Sequence, residues 1–99
     1  MTIEQTLQTE IEESQRSLDR EREEGIYKRD LKKRIELINW TLDNMKNPEI
    51  YICALIETRM NQIIDEINKK DSIIEADPLD SELRILDRIL YIVCSNELK

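Results

Sequence analysis

The chain has 99 residues, enough for one domain with a single core and too few for two. Charged residues make up 37% of it against roughly 25% in an average globular domain, yet 39% hydrophobic residues, sixteen of them isoleucine, suffice to build a core and exclude disorder throughout. A net charge of −7 opposes general binding to nucleic acid or an anionic membrane, since both rely on a summed positive potential.

Gly25, Pro48 and Pro78 are the only glycine and prolines, so few tight turns can form and an all-β fold is excluded. The expectation is an all-α fold, about four helices in an antiparallel bundle-like arrangement, as one domain over residues 1–99. Thr2 to Glu24 carries Ile3, Leu7, Ile11 and Leu18 as a narrow apolar stripe, which predicts an outer helix. Thirteen residues separate Leu18 from Leu31, a rotation of about 220° at 100° per residue, so one straight helix would point the two stripes apart. A break at Gly25 brings both to one core, although Glu21, Glu23 and Glu24 oppose the helix dipole there.

The second helix, about Tyr27 to Lys46, has Leu31, Ile35, Ile38, Leu42 and Met45 spaced four, three, four, three, a core seam. Asn47-Pro48 predicts a cap and restart. The third helix then carries Ile52, Ile56, Met60, Ile63, Ile67 and Ile74 in phase to about Glu75. Asp77-Pro78 repeats the restart and opens a fourth helix with a seam of Leu79, Leu83, Leu86, Leu90 and Val93. Ile85, Ile89 and Ile92 widen that apolar face, so this helix is either the centre of the monomer or half of a symmetric dimer seam.

No apolar run approaches the roughly twenty residues that span a bilayer, and Glu4, Glu10 and Glu12 stand where a signal peptide is basic and then apolar. A cytoplasmic protein with no membrane partner is expected. Cys53 and Cys94 are too few for a disulfide scaffold and lack metal-knuckle or redox-pair spacing. They read as buried thiols in a reducing compartment; a Cys53–Cys94 bridge is the alternative, favoured only in a hyperthermophile.

The chain contains no histidine, which removes the commonest general base, the Ser-His and Cys-His nucleophile pairs and the Glu-x-x-His di-iron motif. No pair of acids stands on an apolar face where burial could raise a pKa. Asp71 and Glu82 hold the first and twelfth positions of a calcium-loop length, but Ile73, Ala76 and Pro78 occupy its third, sixth and eighth, so ligands and turn geometry are missing. No enzyme, catalytic residue, cofactor or metal is expected.

Lys28, Arg29, Lys32, Lys33 and Arg34 form the one basic cluster and are the candidate phosphate contacts. The competing explanation is complementarity: the first helix carries −5 and the second +3, with Asp30–Arg34 and Lys32–Glu36 as local pairs. The acidic first helix also admits a DNA-mimic reading, against a plain solvated face. Trp40 lies about 180° from the second helix's seam, on a face with Arg29, Lys33 and Glu36. Either it packs under the first helix or the Gly25 turn, or it is an exposed anchor, with Leu37 and Ile26 close in angle.

In length, charge content, isoleucine bias and lack of an enzymatic signature, the chain resembles the small orphan proteins of viruses and mobile elements, such as filamentous viruses of thermophilic archaea. That resemblance rests on composition over the whole chain; it implies an accessory protein and transfers no functional residue, while the charge content by itself predicts a thermostable protein through many surface ion pairs. The expected function is a non-enzymatic protein-interaction module, a viral or mobile-element regulator or inhibitor, with Trp40, Leu37, Ile85, Ile89 and Ile92 as its interface. A self-associating, virion-type structural protein is the alternative, and a nucleic-acid binder through Lys28 to Arg34 the second alternative.

Overall fold

Thr2 opens the first helix with a reciprocal cap. Its hydroxyl accepts from the Gln5 backbone N–H at 3.1 Å, while the Gln5 side-chain oxygen accepts from the Thr2 N–H at 2.9 Å, satisfying two donors that a helix start leaves open. The computed structural model describes residues 2–95 and holds four helices, α1 (Ile3–Arg20), α2 (Ile26–Met45), α3 (Ile52–Asn68) and α4 (Ile73–Cys94), with no strand among the described residues.

Helix α1 stops at Arg20, before the acidic run, and the Glu21 N–H closes it onto the Ser17 and Leu18 carbonyls. Continuing would have placed Glu21, Glu23 and Glu24 on the negative end of the dipole. Gly25 is extended, at φ 168°, a conformation any residue adopts, so phase and charge rather than glycine's freedom make this break.

Helix α2 buries two faces. Leu31 and Ile38 of the predicted seam are buried and Ile35, Leu42 and Met45 half-buried, but Leu37 and Thr41 are also fully enclosed. The Thr41 hydroxyl donates to the Leu37 carbonyl at 2.8 Å, so its burial leaves no polar group unpaired. The cause is topology, because α2 packs against α1 on one side and against α3 and α4 on the other.

Two predicted boundaries are corrected. Asn47-Pro48 makes a turn rather than a cap: the Asn47 side chain accepts from the Glu49 N–H at 3.0 Å and α3 starts only at Ile52. Helix α3 ends at Asn68 instead of running to Glu75, and α4 begins at Ile73, with Ser72 accepting from the Glu75 N–H at 3.1 Å. Pro78 therefore lies inside α4. It lacks the N–H that would meet the Ile74 carbonyl, and Ile74 is exposed enough for water to take that bond. Ile74, predicted on the α3 core stripe, is 86% exposed.

The core joins Leu7 of α1, Leu37 and Ile38 of α2, Ile52, Ile56 and Ile63 of α3, and Ile85, Leu86, Ile89 and Val93 of α4. Helix α4 touches all three others, whereas α1 and α3 do not meet. Its wide apolar face is thus the centre of the monomer, and the dimer-seam alternative for Ile85 and Ile89 falls.

A further correction concerns the cysteines. Cys53, at the start of α3, and Cys94, at the end of α4, form a disulfide across 41 residues with Cα atoms 6.1 Å apart. Antiparallel packing of α3 on α4 brings the start of one beside the end of the other, which spacing along the chain could not show. The expectation of buried thiols, and with it the ground for a reducing compartment, is overturned.

Candidate functional site

The predicted interface does not form. Leu37 (0% exposed), Ile85 (8%) and Ile89 (1%) are core, and Ile92 and Trp40 are half-buried against it. Trp40 packs toward α3, where the Arg59 guanidinium lies 4.6 Å from its ring centroid, and not under α1 or the Gly25 turn. Ile26 shares an angle with Trp40 but stands fourteen residues along α2, about 21 Å at 1.5 Å per residue, so no joint patch exists.

The basic cluster is largely neutralised at home. Lys28 pairs with Glu24 at 2.9 Å and Lys33 with Glu36 at 2.6 Å, while Arg29 binds Asp30 and Asp77, each at 3.0 Å. These pairs replace the predicted Asp30–Arg34 and Lys32–Glu36. Lys32, too, adds its positive charge beside Glu24, whose carboxyl is held below its ordinary value first by the hydrogen bond from Lys28 and then by these charges. Among the described residues no ion pair joins α1 to α2; the acidic α1 is met instead from α4, by Arg88 on Glu10 at 3.1 Å.

Arg29 is the organising residue of one end of the bundle. One of its terminal nitrogens donates to Asp30, to Asp77 at 3.0 Å and to the Ser81 hydroxyl at 3.2 Å, tying the first turn of α2 to the second and third turns of α4. Those hydrogen bonds, Asp77 first, hold its charge more firmly than usual. Around the clasp stand four exposed apolar side chains: Ile26 (63%) and Tyr27 (58%) from α2, Ile73 (89%) and Ile74 (86%) from α4. Lys69, Lys70, Asp71 and Glu75, all exposed, flank the isoleucines. At the other end, Tyr51 and Tyr91 are exposed beside the disulfide, over a shallow groove with Glu57, Asp87 and Leu90.

A cleft of about 390 Å³ opens between α1, α2 and α4. Arg34, Arg84 and Arg88 reach it, with Glu13, Ser14, Ser17, Tyr27, Asp30 and Ser81 around them and Leu31 and Ile85 beneath. Ser14 is 2% exposed, and its hydroxyl has no hydrogen-bond partner among the described residues, a state that costs about 1–3 kcal/mol.

Among the described residues no group of three or more histidine, cysteine, aspartate or glutamate side chains could hold a metal ion, and no helix is long and apolar enough to cross a membrane. No protein family, curated protein or solved structure matches this chain.

The exposed isoleucines escaped sequence reasoning because phase alone tied Ile74 to α3. Ser72-x-x-Glu75, a helix-start pattern, was the signal that places both on the first turn of α4. The arginine cleft had no linear signal, since its residues come from three helices.

Proposed function

We propose that this chain is a non-enzymatic protein-interaction module, a regulator or inhibitor of viral or mobile-element type, that docks a partner protein through the turn end around Ile73 and Ile74. One observation carries the reading: two adjacent isoleucines at a helix start are 89% and 86% exposed, more than any other large apolar side chain among the described residues. β-Branched residues are slightly poorer helix formers than alanine or leucine, so helix propensity does not account for the pair. Burying each in a partner is worth roughly 1.5–3 kcal/mol.

The surroundings fit a docking face. Ser72 caps the turn and Arg29 ties it to α2, so the isoleucines are presented on fixed backbone and little ordering entropy is lost on binding. Ile26 and Tyr27, exposed in the first turn of α2, add apolar area at the same end of the bundle, and the charged residues next to the isoleucines along the chain supply a polar rim. The nucleic-acid alternative loses support, since most of its proposed contacts are already paired with acids.

The experiment is co-purification of the tagged protein at physiological salt after nuclease treatment, with an Ile73→Ser/Ile74→Ser variant in parallel. A stoichiometric partner recovered by the parent and lost by the equally stable variant supports the reading. Recovery of only further copies of the chain moves the virion-type, self-associating alternative ahead. Identical recovery by parent and variant removes the turn end as the docking face.

A further inference from the structure

We infer that the groove at the disulfide end of α3 and α4 is a second docking site, one that takes an arginine side chain from a basic segment of a partner protein. It lies at the opposite end of the α3–α4 hairpin from Ile73 and Ile74, and it stands or falls independently of the docking face proposed there.

Helical spacing builds the walls. Cys53 and Glu57 stand four residues apart on α3, and Asp87, Tyr91 and Cys94 follow one another at four and three along α4, so each set shares one face of its helix. Tyr51, the residue before α3, joins them. The groove measures about 520 Å³, and the Cys53–Cys94 bond locks its two walls together, so little ordering is needed when a guest enters.

The two tyrosines are not explained by the fold. Tyr51 is 64% and Tyr91 67% exposed, more than any large apolar side chain other than Ile73 and Ile74 among the described residues. Tyr51 holds the N-cap position of α3, where serine, threonine, aspartate and asparagine are favoured, and its side chain makes no capping bond. Capping therefore does not account for a tyrosine there.

Charge and ring chemistry together select the guest. Glu57 and Asp87 are exposed, neither is ion-paired among the described residues, and no lysine or arginine lines the groove. Arg84 and Arg88, the cations next to Asp87 along α4, already hold Asp80 at 2.6 Å and Glu10 at 3.1 Å. A guanidinium stacks on aromatic faces and meets carboxylates with a planar fork of donors, so it satisfies both kinds of group at once. The fold uses this combination internally, where Arg59 lies 4.6 Å from the Trp40 ring centroid and donates to Glu82 at 2.9 Å. The disulfide end presents the same aromatic and acidic groups to solvent, for a guanidinium supplied by another chain. The net charge of −7 draws a basic segment in from a distance.

The test is an amide NMR titration of the full, oxidised chain at physiological salt. The probes are a short capped glycine peptide with one central arginine, and the same peptide with lysine or with citrulline, which keeps the shape of arginine without its charge. The arginine peptide is expected to give saturable shifts confined to residues 51–57 and 87–95, the lysine peptide weaker ones, and the citrulline peptide none. Glu57→Gln combined with Asp87→Asn should weaken arginine-peptide binding by about ten-fold or more, through loss of charge-assisted hydrogen bonds. Tyr91→Ala should weaken it by about two- to five-fold, and Tyr91→Phe, which keeps the ring, should not. Absence of saturable shifts, shifts spread over the acids of α1, or unchanged affinity in the Glu57/Asp87 variant overturns the site. Equal binding of the lysine or citrulline peptide overturns the choice of arginine. Shifts of the groove on concentrating the free chain alone would assign it to a second copy and overturn the proposal.

Discussion

The Arg59 guanidinium lies 4.6 Å from the centre of the Trp40 ring and donates to Glu82 at 2.9 Å, so one side chain of α3 joins α2 to α4. The Glu82 side chain is only 14% exposed. Arg59→Ala removes a cation–π contact worth about 0.5–1 kcal/mol and strands that carboxylate, for a total loss of about 1–3 kcal/mol. As the sole tryptophan, Trp40 reports the change directly: its emission should move to the red in the variant before any unfolding.

Leu37 and Ile89 distinguish the core from the exposed surface at Ile74. Truncating either to alanine should cost about 2–5 kcal/mol in denaturant unfolding, because each leaves a cavity among α2, α3 and α4. Ile74→Ser, on a side chain 86% exposed, should change stability by no more than about 0.5 kcal/mol. Comparable losses at all three positions would contradict the packing described above.

The two hairpin helices α3 and α4 are cross-linked at the end away from their turn. Closing a loop across 41 residues restricts the unfolded chain, so reduction, or Cys53→Ser with Cys94→Ser, should lower stability by about 2–4 kcal/mol without altering helix content under native conditions. Equilibrium unfolding with and without reductant measures it; coincident curves would show that the bond contributes nothing.

Sequence patterning made the helix count, the outer α1 and the wide apolar face of α4 legible, because apolar phase within one helix tracks the face it buries. The double burial of α2 was not, since Leu37 and Thr41 lie off its seam and are enclosed only because a second hairpin packs there. Asp77-Pro78 misled for a local reason: proline is tolerated inside α4 where the carbonyl it leaves open belongs to an exposed residue. The disulfide and the arginine cleft depend on residues that meet only through tertiary packing. The Arg29 clasp spans 48 residues to Asp77 and has no counterpart in helical spacing.

Glu24 should titrate below its ordinary value near 4.5, chiefly through its hydrogen bond from Lys28. A carboxyl whose folded pKa is lowered adds stability above the unfolded value and loses it as pH falls through the folded one, so the tie between the α1–α2 link and α2 weakens on acidification. Carboxyl-carbon NMR of Glu24 should show the low midpoint, and Lys28→Met should return it toward 4.5. An unchanged midpoint in that variant would contradict the pairing.

The most direct test of the proposed docking surface is site-specific photo-crosslinking in a producing cell, with the crosslinker placed at Ile74 or at the exposed Asn61 on α3. A discrete protein adduct from position 74 and none from position 61 is the predicted result. Adducts of equal yield from both positions, or none from position 74 in folded protein, would contradict the assignment of the turn end as the docking face.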